Sequence, residues 1–187
     1  LKCWSHSFKN KQNFNLLDQN SWSNLLKENP TKVILLSWPG KPHSYNASFH
    51  LKENLNSCIN FLEALVENGL KKIIVAGTCY EYGMVNGQLK EDDITDPLNS
   101  YAIAKDCFRK YLSQYCKEKL IDWVWVRIFY PYGIGQNLNS LYPSLIKHIN
   151  EKKEVFNMSS GEQIRDFIKV DEVANQFLDL ANDDKSY

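Results

Sequence analysis

Three apolar runs of strand length punctuate this sequence, and they limit its fold more than anything else in it. They are Lys32–Ser37 (KVILLS), Ile73-Ile74-Val75-Ala76 and Trp123–Phe129 (WVWVRIF). Each is short, nearly continuous and rich in β-branched or aromatic residues, the pattern of a strand buried on both faces. Between them lie helical stripes. Leu51, Leu55, Cys58, Ile59, Leu62 and Leu65 recur at steps of three and four, and Gly69 closes that helix. Ala104, Phe108, Tyr111, Leu112 and Tyr115 mark a second helix, with Ser100 expected as its cap. Strand–helix–strand–helix–strand predicts an α/β fold with a parallel, Rossmann-like sheet and flanking helices.

Less regular segments flank this alternation. Phe14–Asp18 reads as a strand and its exit, and SWSNLLKENP as a helix opened by a serine and closed before Pro30. Gly83–Asn99 is a long polar connection whose acids, Glu91, Asp92, Asp93 and Asp96, suit a solvated face better than a metal site. After Pro131-Tyr132-Gly133 the texture changes. Leu141–Ile149 reads as a short helix, FNMSSGEQIRDFIKV as loop plus short strand, and Asp171 as the cap of a last helix with Val173, Ala174, Phe177 and Leu180 inward. The expected division is residues 1–130 and 131–187.

Lys plus Arg and Asp plus Glu are both 22, so the formal net charge is zero, and no long run of one sign occurs. That argues against nucleic-acid and anionic-membrane partners. No apolar run approaches a membrane span, and the polar N-terminus lacks a signal-peptide core. Five cysteines, an odd number without C-x-x-C, suit free thiols in a reducing compartment, and a cytoplasmic location is expected. No His/Cys cluster has metal spacing.

The chemistry centres on Thr78, Tyr101 and Lys105. Thr78 stands just past a strand end, where open α/β sheets carry their sites. Tyr101 and Lys105 are four apart on one helix face, and that face is apolar. A buried ammonium is costly unless paired or used. Beside a phenol it can lower the phenol's pKa from its reference of about 10. The bland alternative is a core tyrosine with a snorkelling lysine.

Thr78, Tyr82-Gly83, Tyr101/Lys105, RIFYPYGIGQ and RDFIKVDEVA follow in that order. As a set they resemble the extended short-chain dehydrogenase/reductase family, the NAD-dependent epimerase/dehydratase group acting on nucleotide sugars. The resemblance implies Thr78 as the hydroxyl of a triad, Tyr101 as acid/base and Lys105 as the ribose-binding partner that tunes it. It implies NAD or NADP contacts at Ser37, Trp38, Gly77, Tyr101 and Lys105. It places a nucleotide-diphosphate sugar against Thr78, Cys79, Tyr80, Tyr130 and Arg165, in a homodimeric enzyme. Asn54 matches an asparagine that steadies the helix near the tyrosine, although a satisfied core amide explains it as well.

Departures from the pattern narrow the reading. Trp38 replaces the usual small residue, and Tyr130 an asparagine. Cys79 and Tyr80 stand where a dehydratase carries Asp and Glu, so dehydration is disfavoured. A 4-keto-6-deoxysugar reductase comes first and a 4-epimerase second, with a non-catalytic Rossmann-like binding protein as the rival class. The glycines, at 40, 69, 77, 83, 87, 133, 135 and 161, never form G-x-x-G-x-x-G. The expectation is therefore an internal fragment, inactive alone and without useful NAD(P) affinity; the alternative is a diverged protein that has lost the cofactor.

Overall fold

The computed structural model describes residues 14–41 and 43–183; expectations that touch Cys3, His6 or the last four residues lie outside them. Two compact units emerge. The first comprises the described residues up to Arg127 together with those from Leu180 onward; the second is Ile128–Asp179. The return of the chain to the first unit at Leu180 differs from the simple division expected at residue 130.

In the first unit a 3₁₀ turn (Gln19–Trp22) leads into α1 (Ser23–Leu26) and then β1 (Lys32–Leu35). A turn of π-helix (His50–Asn54) runs into α2 (Leu55–Glu67), followed by β2 (Lys72–Thr78), a 3₁₀ turn (Cys79–Tyr82), α3 (Ser100–Lys119) and β3 (Asp122–Ile128). β1 pairs in parallel with β2, from Lys32 opposite Lys72 to Leu35 opposite Val75. β3 lies on the other side of β2. Every residue of β2 is buried, as its apolar run requires of the central strand. The α/β, Rossmann-like class read from the sequence is borne out.

Phe61, Leu62 and Leu65 of α2 and Phe108 and Leu112 of α3 form the core with Ile73 and Val75. Phe14 and Trp22 meet the Phe61 ring with centroids 5.1 and 5.0 Å away. Phe14 and Trp22 therefore cover α2 rather than extend the sheet. Phe14–Asp18 is a turn and not the expected strand. Asn15 Oδ1 accepts the Leu17 N–H at 3.1 Å, and the Asn15 carbonyl accepts the Asp18 N–H at 3.0 Å, which curls the backbone.

Caps also fall beside their expected places. Asp18, not a serine, caps the first turn by accepting the Asn20 N–H. Asn99 caps α3, its Oδ1 accepting the Ala102 N–H at 2.9 Å, while the Ser100 hydroxyl donates to the Asn46 carbonyl. The far end of α3 closes on Leu120 at φ +57°. β1 ends at Leu35, two residues before the expected Ser37, and Leu36 already turns to solvent.

In the second unit, β4 (Tyr130–Tyr132) pairs in parallel with β5 (Phe167–Lys169), and α4 (Leu141–Asn150) lies between them in sequence. Gly133 follows β4 at φ +142°, and a Cβ there would sit 2.8 Å from Val170 Cγ1. α5 (Val170–Asn182) starts one residue before Asp171, which belongs to its first turn. Phe177 is buried as expected, but Ala174 is exposed.

The cap assignment is testable by urea unfolding. Asn99→Ala is expected to cost about 1 kcal/mol, and Ser100→Ala less than about 0.5 kcal/mol.

Candidate active site

α3 carries Tyr101 and Lys105, and its first turn is anchored by the Asn99 cap and by the Tyr101 N–H donating to the Tyr45 carbonyl at 2.8 Å. The helix face they share packs against the end of β2. Lys105 is buried, and its Nζ donates to the Ala76 carbonyl at 2.7 Å. The ammonium lies 4.3 Å from the Trp38 ring centroid, a cation–π contact. Burial lowers its pKa from 10.5 to about 8.

Thr78 ends β2 and caps the following 3₁₀ turn. Its Oγ1 accepts the Tyr80 N–H at 3.3 Å, and the Glu81 carboxylate accepts the Thr78 N–H at 2.8 Å. The Thr78 side chain is near enough to the Tyr101 phenol to favour its ionised form. The structure thus brings Thr78, Tyr101 and Lys105 together at one end of β2. Burial pushes the phenol's pKa up to about 12, and the Thr78 side chain only partly offsets this. The ammonium's close contacts are the Ala76 carbonyl and the Trp38 indole.

An aromatic wall surrounds the phenol. Trp38, Tyr45 and His50 lie with ring centroids 6.1, 5.7 and 5.3 Å from that of Tyr101. Trp38 Nε1 donates to His50 Nδ1 at 3.1 Å, and His50 Nε2 lies 3.1 Å from the Ser44 carbonyl. These partners place the imidazole proton on Nε2. Burial, opposed by the Ser44 bond and reinforced by the Lys105 charge, lowers the histidine's pKa and keeps it neutral. Asn54, one helical step away, donates to the Pro39 carbonyl and so ties the π turn to the loop after β1.

The other expected site residues take varied places. Trp38, in place of a small residue, covers the lysine and positions His50. Cys79 and Tyr80 leave β2 in the 3₁₀ turn, and Tyr80 meets Tyr45 edge to face at 5.5 Å. Ser37 lies on the partly exposed exit of β1. Gly77 has a packing explanation: a Cβ there would come within 2.2 Å of Trp125 Nε1 and 2.8 Å of Glu81 Oε1. In the second unit, the exposed Arg165 guanidinium lies 4.5 Å from the Tyr130 ring centroid and donates to Gln163 Oε1 at 2.8 Å. Among the described residues no cluster of His, Cys, Asp and Glu could hold a metal, and no helix is long and apolar enough to cross a membrane.

Sequence reasoning missed Tyr45, His50, Glu81, Trp125 and Arg127. The four-residue step from His50 to Asn54 and the lone arginine in WVWVRIF are signals that could have found two of them.

A family model described as NAD dependent epimerase/dehydratase family matches residues 3–186. The chain belongs to this family. The dTDP-6-deoxy-L-talose 4-dehydrogenase (NAD(+)) of Aggregatibacter actinomycetemcomitans is 29% identical over 152 residues, 81% of this chain and 56% of the relative. The dTDP-4-dehydro-6-deoxyglucose reductase of Escherichia coli is 30% identical over 160 residues, 81% of this chain and 50% of the relative. Among solved structures, UDP-N-acetylglucosamine 4-epimerase from Methanobrevibacter ruminantium M1, in complex with UDP-N-acetylmuramic acid, aligns with a TM-score of 0.74 at 28% identity, covering 87% of this chain and 56% of that one. The chain spans about half the length of the curated relatives it matches.

The lysine environment gives a direct test. In protein labelled with ¹⁵N at the lysine side chains, one Nζ resonance is expected to titrate near pH 8, against 10.5 for an ordinary lysine. The shift is downward, so the site holds its cation below that pH and loses it above. Lys105→Met should remove this resonance and leave the others in place.

Proposed function

We propose that the protein is an NAD(P)-dependent nucleotide-sugar oxidoreductase, a reductase of 4-keto-6-deoxysugars. The observation that carries this reading is the meeting of the Thr78 hydroxyl, the Tyr101 phenol and the Lys105 ammonium at the end of β2, with no carboxylic acid at Cys79 or Tyr80. Both curated relatives described above are named for 4-position redox chemistry on dTDP-6-deoxysugars.

The donor set fits the ribose end of a nicotinamide nucleotide. An ammonium has three N–H groups, and the direct protein hydrogen bond from Lys105 goes to the Ala76 carbonyl, so a ribose hydroxyl suits the rest. When bound, the cofactor would supply the hydride. This chain's residues would handle the oxygen. The Thr78 hydroxyl donates to the substrate carbonyl oxygen and holds it against Tyr101. The Tyr101 phenol then gives its proton to that oxygen as the carbonyl becomes an alcohol. A phenol with a pKa of about 12 is protonated at neutral pH and suits the donor role that reduction demands. The neutral His50 and the Trp38 indole would limit water at the phenol. Arg165 is the candidate for the nucleotide diphosphate, since a guanidinium pairs with phosphate in two-point fashion.

A second reading, 4-epimerisation, is supported by likeness to solved 4-epimerases at 28% and 26% identity. One assay separates the two. A dTDP-4-keto-6-deoxyhexose given with NADPH should be reduced with stoichiometric loss of nicotinamide absorbance; UDP-hexose interconversion without net cofactor use would favour the epimerase. In a chain that also carries the family's glycine-rich loop, Tyr101→Phe is expected to lower kcat by about 10²- to 10⁴-fold with an unchanged melting temperature. Arg165→Lys should raise the KM for the nucleotide sugar, and an unchanged KM would remove that residue from the site.

A further inference from the structure

We propose that Glu81 sets the position of the Thr78 hydroxyl: its carboxylate, clamped by Trp125 and Arg127 of β3, holds the Thr78 N–H and fixes the turn from which that hydroxyl reaches Tyr101. The proposal rests on the reading of Thr78 as the group that holds the substrate oxygen.

Glu81 is completely buried, 0% exposed. Its Oε1 accepts the Thr78 N–H at 2.8 Å and lies 3.0 Å from Trp125 Nε1. Its Oε2 accepts from Trp125 Nε1 at 2.9 Å and from Arg127 Nε at 2.9 Å. Arg109 Nε stands 3.9 Å from the same oxygen. The two ends of the Thr78–Glu81 turn therefore hold each other: the glutamate side chain binds the threonine backbone, while the threonine side chain binds the turn backbone. With both in place, little freedom is left to the Thr78 hydroxyl.

Arg127 carries the constraint outward. Its Nη1 donates to the Tyr82 hydroxyl and to the Glu91 carbonyl, both at 2.8 Å, and its guanidinium lies 4.4 Å from the Tyr82 ring centroid. The Tyr82 hydroxyl in turn donates to the Lys90 carbonyl at 2.9 Å. The Glu81 carbonyl accepts the Asp96 N–H at 3.1 Å. The long polar connection after Gly83 is thus pinned to the turn that presents Thr78. Gly77 completes the device, because any side chain there would occupy the space where Trp125 meets Glu81.

Stability alone is a poor reason for this arrangement. A buried ion pair rarely improves on apolar residues of the same volume. What it supplies is direction: a carboxylate with three hydrogen-bond donors around it admits one orientation. The substitution that separates direction from mere packing is Glu81→Gln, which keeps the shape and an acceptor for Thr78 but places an amide N–H₂ against Arg127 or Trp125. Trp125→Phe is the companion variant. It removes one donor, keeps the ion pair, and retains a ring to pack on Phe108.

The test is a double-mutant cycle in the assay with NADPH and the 4-keto-6-deoxysugar nucleotide, with melting temperature recorded for each variant. Glu81→Gln and Trp125→Phe are expected to lower kcat by roughly 10- to 100-fold, with the KM for NADPH within about twofold. In a Thr78→Ala background the same substitutions should change kcat by no more than about twofold, because the group they position is gone. Additive losses, or undiminished kcat in both folded variants, would overturn the proposal while leaving the site reading intact. If Thr78→Ala itself leaves kcat unchanged, the site reading falls and the proposal with it. If Glu81→Gln does not fold, the Trp125→Phe arm decides alone.

Discussion

A single buried carboxylate holds the Thr78 end of this sheet in register. Removing an anion from water costs several kilocalories per mole, even after relaxation, unless donors replace the lost hydration. The Thr78 backbone, the Trp125 indole and the Arg127 guanidinium offset part of that cost for Glu81, whose pKa burial still holds above the ordinary carboxylate value. These groups come from β2 and β3, and the carboxylate itself from the turn after β2. The carboxylate therefore works only if the two strands sit side by side with the right stagger, and the fold and the site share one requirement.

Lys105 presents the complementary problem at a short remove. Its ammonium is as deeply buried, yet its direct protein contacts are a carbonyl and an aromatic face rather than a carboxylate. Such contacts moderate desolvation without cancelling it, and the downward shift of its pKa is the residue of that imbalance. The phenol beside it is shifted upward for the same reason. Burial favours the uncharged form of both groups. The phenol therefore keeps its proton at neutral pH.

Much of this was readable from the sequence, and the boundary of what was readable is physical. Ile73–Ala76 and the Tyr101/Lys105 face announced themselves because burial imposes a short period on the chain. Thr78 followed because strand ends are where α/β sheets expose reactive groups. Caps at Asp18 and Asn99 were missed in favour of nearby serines, because all of these side chains can cap and only the local dihedral path selects one. Phe14–Asp18 read as a strand from its apolar residues, whereas the Asn15 side chain closed it into a turn. Glu81 could not be found in this way. Its partner Arg127 lies 46 residues along the chain, and nothing in a local pattern links the two. Gly77 looked like a cofactor contact, yet its bareness is explained by an indole from β3.

The π turn at His50–Asn54 has a consequence for how this segment can change in length. The Leu55 N–H reaches back to the His50 carbonyl, five residues instead of four. Such a turn is equivalent to one residue inserted into an α-helix. Removing one residue here would restore a regular helix. It would also rotate everything on one side of the cut by about 100° relative to the other, since an α-helix has 3.6 residues per turn. His50 would swing away from Trp38 and Tyr101, and Asn54 away from Pro39. Point substitutions on the outer face of this segment leave that geometry alone, whereas a one-residue deletion would dismantle the aromatic wall while improving the helix.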